Sequence, residues 1–274
     1  MSNPIYESAY TKAGLIESMS PREYRLLRRQ HKLIGETLGN CRGYISANVA
    51  IIPKEVALEF FLFCQRNPKP CTPMDVTDPG NPEPIRVAPG ADLRTDLGRY
   101  YVYKYGELID EPTDITDYWR DDLVSFVMGA SPSWHYVLSD AKLQYTFVGA
   151  YVTNIQTIPA GPFKGPMVVG CRVFNDALDA IRAIQITSRY VLCNGAPVHI
   201  GDPSIIGIDI SKPVVCLEGN PHLRPLQPGQ VPVFWAVGPT VQTVAVAAKL
   251  DLLVMHVPGW NLATDIHLEQ VALF

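Results

Sequence analysis

The stretch that decides the fold is Gly43–Asn67, "GYISANVAIIPKEVALEFFLFCQRN". Its first eleven residues are short, apolar and β-branched, which predicts a buried strand. Its next fourteen place Val56, Leu58, Phe60, Phe61 and Phe63 on the spacing of a helix packed against that strand, and Pro68 and Pro70 end it. Strand followed by packed helix recurs along the chain. "RYYVYKYGELIDEP" turns at Gly106 and reads as a hairpin, and Tyr145–Val173 reads as two strands. "NDALDAIRAIQITSRY" is a helix with Asn175 as its N-cap. "VPVFWAVGPT" and "LDLLVMHVPG" are strand-like, with the helical "TVQTVAVAAKL" between them.

Nearer the N-terminus, Ser20 and Glu23 form a capping-box pair for a helix predicted from Pro21 to Leu38. "TPMDVT" reads as a short strand and "DYWRDDLVSFVMGA" as a helix; Asp78–Gly98, rich in Pro and Gly, reads as a long ordered loop. The expected class is therefore α/β. The unbroken apolar runs "VPVFWAV" and "LLVMHV" predict a mixed, largely parallel sheet sandwiched by helices. A main domain over 1–143 and 191–274 is expected, with a smaller strand–strand–helix α+β subdomain, 144–190, inserted into it.

The bulk composition narrows the function. With 274 residues, 47% hydrophobic and 18% charged, the chain can bury a large core. A net charge of −4 offers no basic footprint for nucleic acid. The cluster "REYRLLRRQHK" reads as the solvated face of an amphipathic helix. No apolar run approaches a membrane span, and "MSNPIYESAY" does not resemble a secretory signal. The six cysteines lack zinc-ligand spacing, so buried free thiols in a cytoplasmic protein are expected, without metal or organic cofactor. The expected partner is a small-molecule substrate, with self-association into a homo-oligomer left open.

Several stretches carry candidate chemistry. "VMGASPSWHYVL" (127–138) brings Ser131, Ser133, Trp134 and His135 to a helix N-terminus, whose dipole would favour the neutral imidazole. Ligands in open α/β sheets bind at the carboxyl ends of strands, which makes Trp235, Gly238, Thr240, His256, Gly259 and Trp260 pocket candidates. His199 and Asp202, three residues apart, could form an oriented acid–base pair. Arg94 stands between Asp92 and Asp96, able either to clamp a substrate carboxylate or to bridge the two loop carboxylates. Asn48 is an amide inside an apolar strand and needs partners. There is no GxSxG, HExxH, P-loop or GxGxxG motif.

The stretches "GYISANVAIIP", "FFLFCQRNPKPC", "APGADLRTDLGRYYVYKYGEL", "GAPVHIGDPSIIGI", "VPVFWAVGPTVQ" and "HVPGWNLATDI" together resemble the D-glutamate cyclase-like family, whose members are also grouped as hydro-lyases. The resemblance implies an α/β sandwich with a smaller α+β subdomain, and dehydrative cyclisation of D-glutamate to 5-oxo-D-proline. By motif it singles out Asn48, Arg66, Arg94, Asp96, His199, Asp202, His256 and Asp265. Where the family usually reads GCSFSFE this chain has "GASPSWH", placing Ala130, Trp134 and His135 at altered positions. The usual MYRTN is "AYVTN", keeping Thr153 and Asn154 but putting Val152 in place of an arginine, and the usual PGHM is "PGWN", with Trp260 in place of a histidine. Three readings follow. The first is a cofactor-independent lyase or cyclase acting on a larger, specialised carboxylate or carbonyl substrate, with His135, His199, Asp202 and His256 in acid–base roles. In that reading Asn48 and Arg94 orient the substrate, Trp134 and Trp260 wall the site, and Asp96, Ser131, Ser133, Thr153, Asn154, Trp235 and Asp265 contribute to substrate binding. The others are the family's own D-glutamate cyclisation and an inactive small-ligand-binding protein.

Overall fold

The computed structural model describes residues 5–6, 18–37, 40–214 and 226–273. In chain order its elements are β1 (Ile5–Tyr6), α1 (Pro21–Arg29), β2 (Leu33–Ile34), β3 (Tyr44–Pro53), α2 (Ala57–Arg66), β4 (Pro73–Val76), β5 (Tyr100–Lys104), β6 (Glu107–Asp110), β7 (Leu123–Gly129), α3 (His135–Asp140), β8 (Tyr145–Gln156), β9 (Pro166–Phe174), α4 (Ala177–Thr187), β10 (His199–Ile200), β11 (Val231–Ala236), α5 (Pro239–Ala247), β12 (Leu253–His256) and β13 (Leu262–His267). The class is mixed α/β.

A seven-stranded sheet runs β4-β7-β3-β12-β5-β6, with β13 also pairing β3. A second sheet runs β10-β11-β9-β8. Every pairing in both is antiparallel; among the described residues only the short β1–β2 pair is parallel. The expectation of a largely parallel sheet is therefore overturned, and β3 shows the physical reason. Its Ala50 and Ile52 enter one core while Ala47, Val49 and Ile51 enter another. A strand covered on both faces reads as an unbroken apolar run whichever way its neighbours point.

The helix expected in "DYWRDDLVSFVMGA" is also corrected, because this segment holds strand β7, paired with β3 along Ala47–Pro53. Val124, Phe126 and Met128 face one core and Leu123 and Val127 the other, a period of two rather than 3.6. Helix α1 has the expected Ser20 cap, whose hydroxyl accepts from the Glu23 amide at 3.3 Å. It ends at Arg29, well short of Leu38, which lies outside the described residues; His31, at φ 52°, has left the helical region. The cap of α4 is Asp176, accepting from the Asp179 amide at 2.9 Å, rather than Asn175.

Helices α2 and α5 cover one face of the large sheet, where Phe60 packs edge-on against Phe126 and Phe163 at 4.7 and 5.0 Å. The loop 78–98 covers the other face through Val87, Ala88, Leu93 and Leu97. The second sheet packs Phe174, Val233 and Trp235 against Trp134 and Leu138 on one side and Ala180 and Ala183 of α4. Its other face buries Phe234 and Ala236 against Ile206 and Ile208. Cys41, Cys64, Cys71, Cys171 and Cys193 are free and buried, and Cys216 lies outside the described residues. No described helix is long and apolar enough to cross a membrane.

Candidate active site

The ends of β3, β7, β9, β11 and β12 converge on a cavity of about 110 Å³ whose wall includes Asn48, Ser131, His135, Arg172, Asn194, Gly238, His256 and Asn261. The lining is mostly apolar otherwise, through Ala130, Phe147, Val237 and Met255.

Arg172 is the group with the largest electrostatic consequence. It lies in β9 and is 1% exposed, with its guanidinium stacked on Trp134 at 4.3 Å, Trp235 at 5.3 Å and Phe147 at 5.4 Å. Nη2 lies 2.6 Å from His135 Nε2, whereas Nε and Nη1 have no hydrogen-bond partner. Burial lowers this guanidinium to about 10, while the nearby Tyr145 and Cys171, and a hydrogen bond to the Tyr145 hydroxyl, favour its charged form. Among the described residues this buried cation has no carboxylate beside it; its polar neighbours are His135 and the Tyr145 hydroxyl. His135 is held neutral: burial, and then the charge of Arg172, push its imidazole well below the ordinary range. The neutral imidazole expected from the sequence is thus found, with burial and Arg172 as its causes.

A second group of polar side chains stands on the same cavity wall. Asn261 Nδ2 donates to Asn48 Oδ1 at 2.9 Å and lies 3.4 Å from His256 Nε2. His256 Nδ1 lies 3.1 Å from the Val49 amide and 3.2 Å from its carbonyl, so the backbone anchors the ring in either tautomer. Burial lowers this histidine to about 4. Asn48 Nδ2 has no partner. Gly238, at the start of α5, fits closely against this amide, since an added Cβ would stand 2.5 Å from Nδ2.

The loop 130–135 joins the two groups. The Ser131 amide donates to Asn194 Oδ1 at 3.1 Å, and both residues line the cavity. Asn194, left-handed at φ 62°, also donates to the Lys69 carbonyl at 2.9 Å. Ser133 instead clasps the chain: it accepts from the Ser46 amide at 3.1 Å and donates to the Ala130 carbonyl at 2.6 Å.

Of the residues predicted from sequence, Asn48, Ser131, His135, His256, Gly238 and Gly259 line the cavity. Trp134 and Trp235 stand behind it as the rings under Arg172, with their indole N–H groups donating to Cys193 and Thr187. Thr240 ties α5 to Val168. The remainder lie elsewhere. Arg94 forks onto Asp92 at 2.8 and 2.9 Å, and Asp96 is taken by Arg29 at 2.8 Å. Asp265 pairs with Arg25 at 2.8 Å, and Trp260 stacks under Arg28 at 4.7 Å. Arg66 donates to the Pro159 carbonyl. His199 Nε2 meets the Asp202 carbonyl at 2.8 Å, while the Asp202 carboxylate caps the turn at Ser204. Thr153 donates to Met167, and Asn154 to Ile205. Sequence reasoning missed Arg172, Asn194 and Asn261 as site residues. For Arg172 a signal existed, because it is the one charge in the apolar strand "GPMVVGCRVF". Among the described residues no cluster of three or more His, Cys, Asp or Glu could hold a metal ion.

Comparison with known proteins gives a consistent result. The family model for D-glutamate cyclase matches residues 124–265. A Geobacillus kaustophilus protein named "putative hydro-lyase" is 46% identical over 93% of this chain and 97% of its own length. A Bacillus subtilis protein of the same name is 43% identical over 93% of this chain and its full length. Among solved structures, a nitrogen repressor-like protein from Methanococcus jannaschii aligns over 87% of this chain and 96% of its own with a TM-score of 0.38 and 8% identity, too low to carry an argument.

Proposed function

From the premise that this chain belongs to the D-glutamate cyclase family, as its match over 124–265 and its 46% identity to a curated relative show, we propose that it is a lyase. It removes water from a small carboxylate held against Arg172, with His135 taking the proton. The observation that carries this reading is the buried guanidinium with Nε and Nη1 unmet, beside a histidine held neutral.

Removing water, whether to form a double bond or to close a ring, needs three things. The substrate must be held by its charge, a proton must leave for a base, and the departing hydroxyl must be held by hydrogen-bond donors while that base returns the proton, so that it leaves as water. Arg172 supplies the first, since a planar guanidinium matches a carboxylate in two hydrogen bonds. His135 supplies the second. Its Nε2 receives a hydrogen bond from Arg172; when a carboxylate draws the guanidinium away, that nitrogen becomes free to accept a proton. The Ser131 hydroxyl and Asn48 Nδ2 supply the third. A cavity of about 110 Å³ suits a small substrate, and the two tryptophans expected to wall a larger, more apolar site lie behind Arg172 and beside Arg28 instead. D-glutamate ring closure, the activity in the family's name, is one form of this chemistry.

The test is a proton NMR time course with a panel of small 3-hydroxycarboxylates and D-glutamate. The proposal expects dehydration or 5-oxoproline formation from at least one, abolished in a folded His135→Ala variant. Turnover that survives in His135→Ala contradicts the assigned base, and a panel that binds at Arg172 but never turns over favours the ligand-binding reading.

A further inference from the structure

The cavity carries an unequal set of charges. Among the described residues that line it, Arg172 is the only permanent cation, and none is an aspartate or glutamate. His135 and His256 are both held neutral. A ligand that matches this wall carries one negative charge. An ammonium group against these residues would find no carboxylate among them to meet it, which is costly.

The second polar group explains what the rest of the ligand must offer. Asn48 is 5% exposed, and its Oδ1 is occupied by Asn261. This fixes the side-chain amide with Nδ2 as the unpartnered donor, buried against Gly238 where both residues line the cavity. Only a glycine at 238 permits it to sit there. A lone neutral donor of this kind pairs well with an uncharged oxygen, whereas a second carboxylate there would lack a balancing cation.

Resting on the reading of Arg172 as the carboxylate anchor, we infer that the site selects a carboxylate that has no ammonium group and whose second polar group is an uncharged oxygen function, a carbonyl, amide or hydroxyl, received by Asn48 Nδ2. This selectivity separates the chain's substrate class from free amino acids and from dicarboxylates. It assigns Asn48 as the residue that reads the second group, while Asn261 positions it.

Isothermal titration calorimetry with four ligands tests this: butyrate (a carboxylate alone), glutaramate (a carboxylate with an uncharged amide), glutarate (two carboxylates) and D-glutamate (two carboxylates and an ammonium). The wild-type protein is expected to bind glutaramate about tenfold or more tightly than either glutarate or D-glutamate. In Asn48→Leu glutaramate should lose its advantage over butyrate. Glutarate or D-glutamate binding as tightly as glutaramate overturns the inference, as does an unchanged advantage in Asn48→Leu. Arg172→Met separates this failure from that of the underlying reading. Butyrate affinity lost in Arg172→Met shows the anchor to be right even if the selectivity fails. Butyrate affinity that is retained, or no binding of any of the four, overturns anchor and inference together.

Discussion

Replacing Arg172 by methionine should make the protein more stable while removing its affinity for carboxylates. Burial lowers the guanidinium to about 10 from the ordinary arginine range. At about 1.4 kcal/mol per pKa step this corresponds to roughly 3 kcal/mol of uncompensated charge. The sign follows from linkage. The folded value is depressed, so at neutral pH the residue is charged in both folded and unfolded chains and the folded state bears the whole cost, which is relieved only above about pH 10. Three aromatic rings offset part of it, at about 0.5–1 kcal/mol each. Methionine keeps an unbranched apolar chain against Trp134, Trp235 and Phe147 and drops the charge. The net gain is about 1 kcal/mol, a rise of roughly 2–4 °C in melting temperature. Thermal unfolding followed by circular dichroism, with and without butyrate, reads both effects. The wild type should gain about 2.7 kcal/mol with butyrate at a hundredfold excess over its Kd, and Arg172→Met should gain nothing. A variant destabilised by more than about 2 kcal/mol would refute the reasoning, because that is the outcome for a guanidinium whose hydrogen bonds hold the core together.

Three further outcomes follow from the geometry. His256 is lowered to about 4 by burial, so between the ordinary histidine value and pH 4 the unfolded chain takes up a proton that the folded chain refuses. Stability should fall as pH drops through that window, by up to about 3 kcal/mol for this residue; equal urea midpoints at pH 7 and pH 5 in the wild type would contradict it. An added Cβ at Gly129 would stand 2.0 Å from the Leu192 carbonyl oxygen, whereas nothing lies within 4 Å of one at Gly90, φ 76°. Gly129→Ala should therefore cost several kcal/mol in denaturant unfolding and Gly90→Ala only about 1 kcal/mol, and similar costs would sink the comparison. Gly238→Ala displaces the Asn48 amide, so it should lower glutaramate affinity about tenfold with butyrate affinity kept; calorimetry showing both affinities unchanged would mean the close approach is unimportant.

Much of the secondary structure could be read directly from the chain. The strand and helix of Gly43–Asn67, the hairpin at Gly106 and helix α5 follow from periodicity and turn residues. The direction of pairing could not be read, because burial on both faces erases the alternation that usually marks antiparallel strands. Strand β7 was hidden for the same reason: with Val124, Phe126 and Met128 in one core and Leu123 and Val127 in another, it has no polar face.

The site was half legible. Asn48 and His256 stood out as polar residues within or ending apolar strands, and both line the cavity. The loop motifs around Arg94, Asp96 and Asp265 stood out as strongly, yet their charges are met by Asp92, Arg29 and Arg25. Arg29 lies 67 residues from Asp96 and Arg25 lies 240 from Asp265, and pairings over such separations leave no local trace. Asn194 and Asn261 are loop amides whose roles arise only from what the fold places beside them.

The account stands most directly on where a carboxylate goes. A crystal structure of the wild-type protein grown with butyrate should show its carboxylate forked on Arg172 through Nη2 together with Nε or Nη1, with the Arg172–His135 contact opened. A carboxylate bound on Arg28 or Arg94 instead, or an empty cavity with Arg172 still closed on His135, would contradict it.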